Sequence, residues 1–186
     1  MNNHRLPCVL LAVLLLLASC RKHKAEAPTD PLTLLPAYTE TGAGTFGCLI
    51  DGEAFVPKKH WASLEVSLQC YYQIVNYTEI YFSLSAKNAY LDKYLGINID
   101  YKYLIKNKTY KLGSFTNDSS YATLGIYSGE TIYFTRSTNY VGEMSIGYLD
   151  TINQIVSGTF WFDAVDTSSG KGIHVTNGRF DLHYTR

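Results

Sequence analysis

"IYFSLS", residues 80–85, decides the fold. Ile80, Phe82 and Leu84 alternate with Tyr81, Ser83 and Ser85. Successive side chains of a strand point to opposite faces, so this segment lays one face on a core and the other in water. The same period of two runs through residues 62–70, 97–103 and 144–148. One-sided alternation is the mark of antiparallel sheet. The chain also has 16 tyrosines, which favour strands. Beyond the first 44 residues no segment reads as a convincing helix; "AYLDKYL", residues 89–95, predicts one short turn. The pattern predicts an all-β domain over residues 45–186, an antiparallel β-sandwich, with a small closed β-barrel as the alternative.

Turn chemistry supplies the registers. Asp51-Gly52 predicts a two-residue hairpin that sets Cys48 opposite Phe55, with Phe46 and Ile50 on the same face. Asn177-Gly178 carries the same signal and predicts a second hairpin, with Val175 opposite Phe180 and His174 facing Asp181. Residues 150–153 predict a longer turn.

The phase of "GTFWFDA", residues 158–164, gives the core Phe160, Phe162 and Ala164. It turns Trp161 outward with Thr159 and Asp163. An exposed aromatic on a sheet face suits sugar stacking or a protein partner, unless another segment covers it. Tyr133, and with it Tyr121 and Tyr127, is out of phase with its apolar neighbours and is expected to join Trp161 as a partner or glycan contact. His174 and His183 are expected to share an outer face with Asp163 and Asp181. Such a cluster is either acid–base machinery of a hydrolase or a set of cross-strand polar pairs, and the second reading is preferred.

Other chemistry is absent from the sequence. "SSGKG", residues 168–172, fails as a phosphate loop, because Gly172 stands where Ser or Thr must bind magnesium. There is no Gly-x-Ser-x-Gly. Asp163, Asp166 and Gly170 match no calcium-loop spacing and read as an acidic turn. No cofactor and no metal site is expected, and no catalytic residue is assigned. The chain carries 16 basic and 16 acidic residues, a balance that argues against a nucleic-acid partner.

The front of the chain gives an address. An apolar tract at residues 9–18 follows Arg5. As a helix it is about 15 Å long, half of a hydrocarbon core, so it suits a secretory signal peptide rather than a membrane span. Leu17-Ala18-Ser19-Cys20 resembles the lipobox of bacterial lipoproteins. That resemblance implies cleavage after residue 19 and lipid attachment at Cys20. More than one acyl chain then holds the protein to a membrane without a spanning segment. Arg21 after the modified cysteine implies, by the same resemblance, the outer membrane, and the absence of an acidic cluster there favours its periplasmic leaflet, with the cell surface as the alternative. Residues 20–44, with Pro28, Pro31 and Pro36, read as a tether in which only "PLTLLP" is apolar enough to dock. Cys8 leaves with the leader, and Cys20 is lipidated. Cys48 and Cys70 remain, either as a disulfide or as two buried thiols.

Two blocks, "LLPAYTETGAGTFGCLIDGEAFVP" (residues 34–57) and "GTFWFDAVDTSSGKGIHVTNGRFDLHY" (residues 158–184), resemble uncharacterised Bacteroidetes lipoproteins with one all-β domain. The likeness implies location and fold and brings no activity. Asp150-Thr151-Ile152 resembles the short O-glycosylation acceptor of such bacteria. The expected function is a lipid-anchored envelope protein that binds a glycan or an envelope protein. A sheet-face hydrolase and a small-ligand carrier with a barrel cavity are the alternatives.

Overall fold

The computed structural model describes residues 29–75, 79–113, 120–128, 131–135 and 139–186. The lipobox and the basic run after it lie outside these residues. No helix among the described residues is long and apolar enough to cross a membrane.

The domain is all-β. Its strands in chain order are β1 (Thr45–Ile50), β2 (Glu53–Phe55), β3 (Leu68–Val75), β4 (Glu79–Asn88), β5 (Lys93–Asp100) and β6 (Thr109–Leu112). They continue as β7 (Ser120–Ile126), β8 (Thr131–Phe134), β9 (Gly142–Asp150), β10 (Ile155–Asp166) and β11 (Gly172–His183). One antiparallel sheet runs in the order β2-β1-β11-β10-β8-β7-β5-β4-β3, with β9 on β10 and β6 on β9. It does not close into a barrel, and it fits an antiparallel β-sandwich.

The long strand β10 makes the fold-over. One edge of its first part pairs with β9, and its last residues, Val165 and Asp166, pair with Phe134 and Tyr133 of β8. One layer thus holds β2, β1, β11, β10, β9 and β6; the other holds β8, β7, β5, β4 and β3. Their inner faces meet where Phe82 lies 6.5 Å from Phe180 and Tyr72 lies 5.4 Å from Tyr184. The alternating residues of β4 and β5 supply Phe82, Leu84, Leu95, Ile97 and Ile99, all fully buried. Burying one such side chain contributes about 1.5–3 kcal/mol, so this stripe is a main source of stability.

The hairpin at Asp51-Gly52 forms as expected, with Cys48 opposite Phe55. Asp51 has φ 48° and Gly52 φ 85°, the positive values that a type I′ turn demands. Residues 150–153 also turn as expected, with the Asp150 carboxylate accepting the amides of Ile152 and Asn153.

Three expectations are corrected. Asn177-Gly178 is not a hairpin: β11 runs straight through it. Asn177 has φ 54° and sits in a bulge, where two residues of β11 oppose Trp161 alone. A bulge and a tight turn both need a left-handed residue, which is why the dipeptide misleads. Residues 62–67 are not strand; the loop after β2 ends only at Leu68. Tyr133 is buried at 4 % exposure, because it pairs with inward-facing Leu124 on β7 and the two share one face.

Residues 31–43, the last part of the expected tether, form a strap docked on the domain. A short 3₁₀ turn at Pro31–Leu34 packs on β2, Leu35 is buried, and Pro36 lies against Gly47. Residues 39–43 then wrap the Asp181 carboxylate. Its Oδ2 accepts Thr39 Oγ1 at 2.6 Å, the Thr41 amide at 2.9 Å and the Ala43 amide at 3.0 Å. Its Oδ1 accepts the Gly42 amide at 2.7 Å and Ser157 Oγ at 2.6 Å. Burial alone would push this carboxyl up; the hydrogen bonds from Ser157, Thr39, Ala43 and Thr41 outweigh it and hold the carboxyl well below the ordinary range.

Candidate functional site

Trp161 stands on the outer face of β10, as its phase requires, and is 39 % exposed. The bulge at Asn177 widens the β10–β11 ladder beside it, and Gly178 leaves room for Phe160 beneath: a Cβ there would lie 2.5 Å from the Phe160 ring. Register sets Glu143 of β9 opposite Trp161 and sets Ser145 and Arg179 on either side of Thr159. Docking of the strap brings Tyr38 over the same face. These groups, with Asn177, line an open cleft of about 340 Å³.

The cleft has two aromatic walls and a polar floor. Tyr38 donates its hydroxyl to Glu40 at 3.0 Å, and its pKa is pushed up to about 12 by burial first and then by that bond. Thr109 and Ser145 share a hydrogen bond at 2.7 Å. Among the described residues, no ion pair or hydrogen bond occupies the Glu143 carboxylate or the Arg179 guanidinium. A planar aromatic beside an unoccupied carboxylate, guanidinium and amide can stack on an apolar ring face and bond the hydroxyls around it.

The other predicted residues lie elsewhere. Tyr133 is in the core and takes no part. Tyr127 is exposed but belongs to the second layer, 4.8 Å from Tyr94 and with Lys87 Nζ 4.5 Å over its ring. Tyr121 pairs with Asn98 there. His174 Nδ1 meets Asp163 Oδ1 at 2.7 Å on an open surface, and this bond raises the His174 pKa. His183 Nδ1 reaches instead the Asn153 carbonyl, and Asp181 is enclosed by the strap. The expected shared face of two His and two Asp is therefore split. The ion pair stands outside the cleft.

Asp166 spends its carboxylate on the amides of Ser168 and Ser169 in its own turn, while Asp163 faces His174. Among the described residues no group of three His, Cys, Asp or Glu converges as a metal site would require. Cys48 and Cys70 are free and buried, each in the core. Burial pushes both thiols up, Cys70 to about 12.

Two surface features were missed. Outward residues of β4, β5 and β7, among them Ser83, Ser85, Asn98 and Thr123, floor a second open cleft of about 570 Å³ with Tyr94 and Tyr127 at its rim. The serines were visible in the alternation and read only as the wet face. Tyr38 was hidden in the tether.

No protein-family model, no curated protein and no solved structure matches the chain.

Proposed function

We propose that this chain is a lipid-anchored envelope protein whose sandwich domain binds carbohydrate in the Trp161 cleft. One observation carries the reading: an exposed tryptophan and a tyrosine flank Glu143, Asn177 and Arg179, and no contact within the described residues uses the Glu143 or Arg179 charge. Sugars present both an apolar ring face and a rim of hydroxyls, and this cleft offers a partner to each. The hydrolase alternative has only the exposed His174–Asp163 pair, outside the cleft. The carrier alternative has only a half-open pocket of about 480 Å³ beside Tyr72 and Tyr184 at the end of the sandwich, because Phe82, Phe160 and Phe180 pack together between the layers.

The test is retention of the protein on envelope polysaccharide, with and without Trp161→Ala. Removing the stacking ring from an open site costs about 1–2 kcal/mol, so retention should weaken about tenfold. Trp161 lies on the outer face, so the melting temperature should fall by less than about 4 °C. Equal retention of both proteins would remove the cleft from the reading. Failure of residue 20 to label with radioactive palmitate would remove the anchor.

A further inference from the structure

The loop from β2 to β3, residues 56–67, holds apolar side chains out in water. Trp61 is 84 % exposed and Leu64 is fully exposed, with Val66 close behind. Among the described residues Trp61 has one ring neighbour, His60, and Leu64 lies outside the core. Single exposed apolar residues are ordinary; three in six positions at a loop tip mark a contact surface.

The turn between β4 and β5 stands beside this loop. Lys58 bridges to Asn88, His60 stacks on Tyr90 at 5.8 Å, and Lys58 Nζ lies 4.7 Å over the Tyr90 ring. Tyr90 and Leu91 are exposed in their turn. This end of the sandwich therefore groups tryptophan, tyrosine and leucine tips with Lys58 and Lys59. The loop's acid, Glu65, is paired with Lys87, and Asp92 of the neighbouring turn accepts the Ser128 amide and keeps its charge. With Lys58, Lys59 and Lys87 against these two acids, what faces outward is apolar at the tip and net positive at the rim.

We propose that this end of the domain seats in the interfacial layer of a lipid bilayer carrying anionic headgroups. Tryptophan and tyrosine favour that layer, leucine reaches the acyl boundary, and lysine is attracted to the surface charge. The position of the strap agrees. The 3₁₀ turn at Pro31–Leu34 packs on β2, the strand that feeds the loop. Ten Cα-to-Cα steps separate Cys20 from Asp30, a reach of at most roughly 35 Å. In this last respect the inference rests on the lipid anchor proposed above; the composition of the loop stands without it.

The chain has two tryptophans, so Trp161→Phe leaves Trp61 as the sole reporter. The full chain is expressed in a lipoprotein-processing host and reconstituted in phosphatidylethanolamine–phosphatidylglycerol vesicles with brominated acyl chains. Trp61 emission should shift to the blue and be quenched. Lys59→Gln should weaken docking about five-fold and Leu64→Ser about ten-fold. Both side chains are exposed, so neither change should move the melting temperature by more than about 2 °C. Protein that floats with the vesicles while Trp61 stays unshifted and unquenched overturns the inference and leaves the anchor intact. Protein that is not lipidated but shows Trp61 quenching when vesicles are added upholds the inference and removes the anchor. Absence of quenching in both formats overturns the inference.

Discussion

Asp181→Asn tests whether the strap is part of the fold. The amide keeps the shape of the side chain but offers one acceptor oxygen in place of two. In its least costly orientation the oxygen keeps Thr39 Oγ1 and the Thr41 and Ala43 amides, and the nitrogen faces Ser157 Oγ and the Gly42 amide. The Ser157 hydroxyl can turn to accept; the Gly42 N–H cannot. One unpaired buried donor costs about 1–3 kcal/mol, and hydrogen bonds to a charge weaken by about half when the charge goes. Together these give a loss of about 4 kcal/mol, a large share of the roughly 5–15 kcal/mol total of a domain. At about 2–4 °C per kcal/mol for a chain of this size, the melting temperature should fall by about 10 °C.

The pH dependence adds a second reading of the same variant. The folded carboxyl lies below its unfolded value, so its contribution is complete above the unfolded pKa of about 4 and declines as the pH falls toward the folded one. Wild-type protein should lose about 1 kcal/mol from this group at pH 3, and more at pH 2. The gap between wild type and Asp181→Asn in urea unfolding should narrow accordingly. A gap under about 1 kcal/mol at pH 7, or one that does not change with acid, would refute the clamp.

Gly178→Ala puts a methyl group into the Phe160 ring and should cost about 1–3 kcal/mol in urea unfolding. Cys48 and Cys70 should resist a thiol reagent at pH 8 until the protein unfolds, and reductant should leave its melting temperature unchanged. Asp163→Asn should bring the His174 titration, followed by NMR, back down toward its ordinary value. The charged pair helps the folded state below the unfolded pKa of His174, and that help is lost as the pH rises through the folded one. A His174 titration unmoved by the substitution would mean that the pair is not formed in solution.

Much of the sheet was legible because β4, β5, β9 and the middle of β10 bury one face only, so their periods show. Trp161 was legible for the same reason. Residues 62–67 share that period and yet lie in a loop, since alternation states which residues prefer burial and not whether a neighbouring strand exists to bury them. Tyr133 sits in "TIYF", where all the neighbours that could set the phase are bulky and apolar or β-branched. Its orientation came from its partner Leu124. Asp181 could not be read locally at all: its donors on the strap stand 138–142 residues away. One of the cleft's two aromatic walls, Tyr38, arrives by that same long-range docking.

The strap's clasp on Asp181 also decides how the domain answers tension. A pull on the N-terminal segment reaches residues 39–43 before it reaches β1. A few hydrogen bonds gathered on one carboxylate would rupture before the β1–β11 ladder is loaded, releasing slack while the sandwich stays whole. The same event would carry Tyr38 away from Trp161, so a mechanical load on the N-terminal side would open the cleft.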